Sequence, residues 1–211
     1  MSNTLKPAGE RLLAAGGDVT IVSIDQERAA PSPMTVRAQY AALVRWHGRE
    51  FLRTRSALLA MIAIGLVYVA AAFMAGLAVT DVAAQHVVFY AGLVRPVLVL
   101  LFALAVIVAL VRDLDDRILD TLLARPLARR TWYLARLTSQ LLTAALLAGA
   151  AALPLVPLAA TGDLAIWTVS LACELALVGA LALACATSLG QVATAFGAVA
   201  GFYALGRVIA A

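Results

Sequence analysis

Between Ser56 and Ala211 the sequence contains five long runs of apolar residues, and these runs constrain the fold more than any other feature. Each run is about 20 residues long, the length that an α-helix needs to cross the roughly 30 Å hydrocarbon core of a bilayer. Charged residues make up only 13% of the 211 residues, against about 25% in a soluble domain. The sequence therefore predicts an all-α, polytopic helical membrane protein with spans at 57–79, 87–111, 137–160, 164–187 and 192–210.

The first 55 residues precede these spans. Residues 1–34 mix glycine, proline and charged positions and have no apolar signal-peptide core, so we expect a flexible cytoplasmic extension before a membrane domain at 35–211. Residues 36–55 place apolar side chains on one helical face and arginines largely off it, which predicts an amphipathic helix in the membrane interface. The alternative is a charged cytoplasmic flank.

Basic residues are unevenly distributed over the segments between the spans. Residues 1–55 contain eight and residues 112–136 contain six, whereas segments 80–86 and 161–163 contain none. Because cytoplasmic segments are enriched in Lys and Arg, we expect a multi-pass protein of the inner (plasma) membrane with a cytoplasmic amino terminus. The net charge of +4 then faces anionic membrane lipid, and we expect no nucleic-acid partner.

The inventory of reactive residue types excludes several classes of enzyme. Lys6 is the only lysine and no phosphate-loop motif surrounds it, so any ATP hydrolysis belongs to a separate subunit. Cys173 and Cys185 have no further ligands at metal spacing. His47 and His86 are predicted on opposite sides of the membrane, with His86 in a solvated loop, which disfavours a shared haem. We expect no catalytic residues, no metal and no cofactor.

The polar segment 112–136 between the second and third spans carries the most specific information. Its apolar residues recur at helical spacing, with acidic residues on the other side, up to the helix breaker Pro126. This pattern predicts a cytoplasmic amphipathic helix whose apolar ridge docks into a partner. The ridge consists of Leu114, Ile118, Leu119, Leu122 and Leu123.

This segment resembles the cytoplasmic coupling loop of type-2 ABC exporter permeases. In that family an acidic residue after the second span leads into a helix with paired leucines, a proline and an arginine, and a basic residue opens the third span. Arg117 and Ile118 depart from the family's usual glycine and threonine. The matching positions are Asp113, Asp115, Asp120, Leu122, Leu123, Pro126, Arg129 and Arg136.

The resemblance implies that the chain is the transmembrane permease subunit of an ABC transporter, an exporter, which couples ATP hydrolysis by an ATP-binding cassette subunit to translocation. It also implies a second permease copy or a related permease as a partner. Haem-exporter permeases of cytochrome c maturation share the plan and form a subfamily variant. The family leads us to expect six spans, so the sixth is absent, supplied by a partner or truncated. The missing span favours the alternative, a non-transporting membrane scaffold that recruits a cytoplasmic partner.

Two charged residues lie inside the predicted spans. Arg95 in the second span and Glu174 in the fourth span lie at similar depths from the outer side, and an ionised carboxylate at such a depth is costly without a partner. We expect them to form an ion pair. The alternative is that Arg95 extends to the interface and Glu174 is protonated.

Small and aromatic residues in the spans have simpler interpretations. Gly197 and Gly201 form a GxxxG pattern, for which we expect packing within the chain rather than a dimer interface. Trp132 and Trp167 lie near predicted span ends, where aromatic side chains anchor helices at the membrane interface.

Overall fold

The computed structural model describes residues 36–53, 55–77, 81–115 and 129–210, which form helices and connections with no strand among them. A 3₁₀ turn at Leu153–Leu155, containing Pro154, follows the fourth helix. The α-helices are α1 (Val36–Arg53), α2 (Arg55–Gly76), α3 (Val82–Asp115), α4 (Arg129–Ala152), α5 (Thr161–Leu189) and α6 (Val192–Ala210).

Five helices in the described part of the chain, α2 to α6, are long and apolar enough to cross a membrane. The chain is an all-α, polytopic helical membrane protein, as predicted. The predicted helix α1 is also present, and its position in the membrane interface remains a prediction. The predicted extension at 1–34 lies outside the described residues.

Helix α3 lies at the centre of the bundle and packs against α2, α5 and α6. Helix α4 packs along α5 and also contacts α1. Fully buried side chains recur along α3 at spacings of three and four residues, because the same strip of this helix faces its neighbours throughout. These residues are Tyr90, Val94, Leu98, Val99, Phe102, Ala103, Ile107 and Leu110.

The second span begins earlier than the sequence analysis predicted, at Val82 instead of residue 87. The cause is Asp81, whose carboxylate oxygen accepts a hydrogen bond from the Ala84 backbone N–H at 3.3 Å and satisfies a free donor of the first turn. His86 is therefore a helical residue and not a solvated loop residue. It is buried, and its ring lies 4.7 Å from that of Tyr68.

Two further helix ends differ from the prediction because helices continue past the apolar runs. Helix α4 begins at Arg129, eight residues before the predicted third span, so its first two turns are polar. Helix α5 runs from Thr161 to Leu189 and ends at Gly190, which adopts a left-handed φ of 65° that favours glycine. The predicted bounds of α6, by contrast, agree with the structure.

A close helix–helix contact on α3 involves the ring of Phe102 and the backbone of Gly179 on α5. A Cβ atom added at Gly179 would lie 2.8 Å from a ring carbon of Phe102. Phe102 is itself only 2% exposed, which limits the room into which its ring can move. Glycine at position 179 is what allows α3 and α5 to approach this closely.

We expect Gly179→Ala to destabilise the protein. The added methyl group overpacks the contact with Phe102 at a cost of about 1–3 kcal/mol, which exceeds the roughly 0.5–1 kcal/mol that alanine gains over glycine in a helix. Thermal unfolding in detergent measures the effect. Gly65→Ala is the matched control, because an added Cβ at Gly65 meets nothing within 4 Å. The variant Phe102→Leu/Gly179→Ala should recover part of the loss, and a Gly179→Ala protein as stable as the control would contradict this account.

Candidate functional site

A buried ion pair joins α3 and α4 at the two ends of the predicted coupling loop. Arg136 donates a hydrogen bond from Nη1 to Oδ2 of Asp113. Asp113 is only 5% exposed and Arg136 only 4%. Because removing either charge leaves the other buried and uncompensated, the pair holds the carboxyl end of α3 against the second turn of α4.

Aromatic side chains enclose this pair. The guanidinium of Arg136 lies 5.6 Å from the ring centroid of Trp132, one turn earlier on α4. The ring of His47, on α1, lies 6.4 Å from that of Trp132 and is buried. The hydroxyl groups of Tyr40 and Thr138 form a hydrogen bond between α1 and α4. Helix α1 is thus attached to the same end of the bundle as the ion pair.

The residues of the predicted coupling loop fall into three groups, which belong to α3, to α4 and to the part of the chain outside the described residues. Asp113 and Asp115 belong to the last turn of α3, where Asp115 is exposed, and Arg129 and Arg136 belong to α4. The predicted loop at 112–136 is therefore shorter at both ends, because its polar flanks extend the helices. Predicted residues that lie outside the described part of the chain are Asp120, Leu122, Leu123 and Pro126.

A cavity of about 580 Å³ opens beside the ion pair. Its apolar wall is formed by the carboxyl-terminal half of α3. Its polar groups come from the first turn of α2, from Arg112 of α3, from residues 136–143 of α4 and from His47 of α1. Three arginines line it, and no Asp or Glu is among the described lining residues. These arginines are Arg55, Arg112 and Arg136. The volume lies within the range of small-molecule sites, about 300–1,000 Å³.

A second ion pair joins α3 to α5 near the middle of both helices. Nη1 of Arg95 lies 3.4 Å from Oε2 of Glu174, which confirms the predicted pairing. Nη2 donates a hydrogen bond to Oγ of Ser170 at 3.3 Å, and the guanidinium lies 5.6 Å from the ring centroid of Trp167. Each side chain of the pair is 20% exposed, so this pair is less enclosed than the first.

The predicted packing role of Gly197 and Gly201 is wrong. Both glycines face outward on α6, and a Cβ atom added at either one meets nothing within 4 Å. Helix α6 instead packs on the bundle through another face, which buries Ala195 and Val199. No element of the described chain therefore uses the close approach that the GxxxG pattern permits.

Sequence analysis missed that each ion pair has a tryptophan against its arginine. Helical spacing contains the signal, because Trp132 and Arg136 are four residues apart, and Trp167, Ser170 and Glu174 follow one another at intervals of three and four. Such intervals place side chains on the same face of a helix. Trp132 and Trp167 are partly buried and pack against the core, so their contacts include more than an interfacial anchor.

Among the described residues, no group of three His, Cys, Asp or Glu side chains is placed to hold a metal ion. Comparison of the chain with protein-family models, curated proteins and solved structures finds no significant match. The features of the chain that bear on its function are the two ion pairs, the cavity and the sequence between α3 and α4.

We expect Asp113→Asn to lower the free energy of unfolding by about 3–5 kcal/mol, because it leaves the Arg136 guanidinium buried without a counter-charge. Arg136→Gln should have an effect of similar size for the converse reason. The double variant Asp113→Asn/Arg136→Gln should be more stable than the sum of the single changes predicts, since it leaves no unpaired charge. Unfolding in detergent followed by circular dichroism gives all three values.

The matched control is Asp115→Asn, which removes an exposed carboxylate two residues away on the same turn. It should change stability by less than about 0.5 kcal/mol. Equal losses for Asp113→Asn and Asp115→Asn would show that the pair has no special role.

We also expect Glu174→Gln to lower stability, by about 1–3 kcal/mol, because its partner Arg95 is then left within the bundle without a counter-charge. Thermal unfolding provides the measurement, and Asp163→Asn, an exposed acid in the first turn of α5, is the control. Replacing both partners, as Arg95→Gln/Glu174→Gln, should restore part of the loss. Unchanged unfolding of Glu174→Gln would count against a stabilising pair.

Proposed function

We propose that this chain is the transmembrane permease subunit of an ABC exporter and that residues 112–136 couple it to a separate ATPase subunit. The proposal starts from the resemblance of this segment to the coupling loop of that family. One structural observation carries it further, which is the buried pair of Asp113 and Arg136 at the two ends of the segment. Both residues match acidic and basic positions of the family motif.

The pair gives the segment a mechanical connection to the membrane helices. A force on residues between Asp113 and Arg136 reaches α3 and α4 together, because the pair joins these helices where they leave the segment. Helix α3 contacts α2, α5 and α6, so displacement of its end acts on the whole bundle. This arrangement suits a subunit that receives work from outside the membrane.

Charge distribution supports a cytoplasmic location for this end in an inner (plasma) membrane. Arg55 and Arg112 line the same cavity as Arg136, so the first turn of α2, the last turns of α3 and the second turn of α4 lie at one end of the bundle. Segments 80–86 and 161–163, at the other end, contain no Lys or Arg. Under the positive-inside rule the arginine-rich end faces the cytoplasm.

In the proposed mechanism the permease performs no covalent chemistry. Closure of an ATP-binding subunit displaces the docked segment, and α3 and α4 move with it to change access to a pathway. For ATP to shift the permease between two states, the ATPase must bind these states with different affinity. A second permease copy, or a related permease, completes the pathway.

The test is affinity purification of the tagged chain from its native membrane in mild detergent, with identification of bound proteins by mass spectrometry. We expect an ATPase with a phosphate loop to accompany the parent chain and to be lost from Leu123→Asp, which places a charge on the predicted apolar ridge. Ala124→Asp is the matched control, because helical spacing places it on the side of Arg117 and Asp120, so it adds the same charge to the same segment away from the ridge.

The possible results separate the two candidate functions. Loss of the ATPase from Leu123→Asp but not from Ala124→Asp supports coupling through the ridge. An ATPase that remains on Leu123→Asp overturns this docking site. Absence of any ATPase from the parent chain overturns the permease proposal and favours a membrane scaffold, whose partner is then among the proteins recovered.

A further inference from the structure

The cavity beside Asp113 and Arg136 has an apolar surface and a cationic surface. One surface is apolar and extends along α3 from Leu101 to Ala109. The other is cationic and consists of Arg55, Arg112 and Arg136 at the ends of their helices. A ligand that satisfies both surfaces needs an anionic group and an apolar tail.

The dimensions of the cavity match such a molecule. Leu101 and Arg112 are separated by about 16 Å along α3, at a rise of about 1.5 Å per residue. This length is close to half of the roughly 30 Å hydrocarbon core of a bilayer, which is the depth that one acyl chain of a lipid covers. The volume of about 580 Å³ is that of a ligand site and exceeds a packing defect.

The charges at the cavity select an anionic headgroup. The lining contains Arg55, Arg112 and Arg136, and the described acids next to the cavity are Asp113, which pairs with Arg136, and Asp115. These three arginines and two acids leave a net positive charge among the described residues. Hydroxyl and amide groups of Ser56, Ser139 and Gln140 supply hydrogen-bonding groups at the same level. Arginine forks of this kind bind phosphate oxygens in pairs.

We propose that this cavity binds an anionic phospholipid, with its phosphate at Arg55 and Arg112 and one acyl chain along α3 between Phe102 and Ala109. Basic pockets between membrane helices are a known setting for recognition of anionic headgroups. The site depends only on the cavity and its arginines, so it goes beyond the transport proposal and holds whether or not an ATPase docks on the chain.

The experiment measures lipid binding to the purified full chain by native mass spectrometry in detergent. Dioleoyl phosphatidylglycerol should bind more tightly than dioleoyl phosphatidylcholine, which has the same tails but no net charge. Inorganic phosphate, tested by thermal shift, should have no effect at concentrations where phosphatidylglycerol raises the melting temperature. Equal binding of both lipids, or stabilisation by phosphate alone, would overturn the proposed anionic amphiphile.

Two sets of variants test the location. Arg55→Gln/Arg112→Gln should weaken phosphatidylglycerol binding by about tenfold or more, since charge-assisted hydrogen bonds to phosphate are lost. Arg45→Gln/Arg49→Gln is the control, because it removes the same charge from exposed positions of α1 outside the described lining. Equal weakening of phosphatidylglycerol binding in both double variants would show that general surface charge, and not this cavity, causes the binding. That result would refute the site.

Larger side chains at Ala109, which fill the cavity, test the role of its apolar surface. Ala109→Phe should abolish retention of phosphatidylglycerol, whereas Ala198→Phe, on an exposed position of α6, should leave it unchanged. Ala109→Leu is a smaller change at the same site and should reduce retention if Ala109→Phe does not fold. A folded Ala109→Leu or Ala109→Phe protein that binds the lipid like the parent chain would contradict the proposal.

Discussion

Hydrocarbon gives apolar helices no hydrophobic driving force to pack together, because lipid tails are as apolar as leucine side chains. The bundle is instead held by contacts that lipid cannot replace, which are close backbone approach and interactions between polar groups. Gly179 provides the first kind of contact where Phe102 lies against it. The pairs Asp113–Arg136 and Arg95–Glu174 provide the second kind, and both of them involve α3.

The two ion pairs connect α3 to two different neighbouring helices. Near its middle Arg95 connects it to α5, and at its end Asp113 connects it to α4. Each arginine also lies 5.6 Å from a tryptophan ring, and this contact restricts where the guanidinium settles. Arg136 has a further contact, because it lines the cavity as well as forming the pair. A ligand in the cavity and a partner on the adjacent segment would therefore act on the same side chain.

Sequence predicted the membrane helices well because length and hydropathy alone determine whether a segment crosses a bilayer. Helix ends were predicted less well, since hydropathy marks the edge of the apolar run and not the last hydrogen-bonded turn. Asp81 and the polar residues from Arg129 to Arg136 extend helices beyond that edge. Depth along two spans sufficed to pair Arg95 with Glu174. The cavity depends on the relative placement of α1 to α4, which no single segment encodes.

Helix α3 has 34 residues, which corresponds to a length of about 51 Å. A bilayer with its headgroups is about 40–45 Å thick, so a helix of this length is long enough to extend through both polar layers. A rod of this length acts as a lever. Tilting it by about 5° around its midpoint contacts would move each end by about 2 Å, half a helical turn or less. Rearrangement at one membrane surface thus becomes displacement at the other without any change of secondary structure.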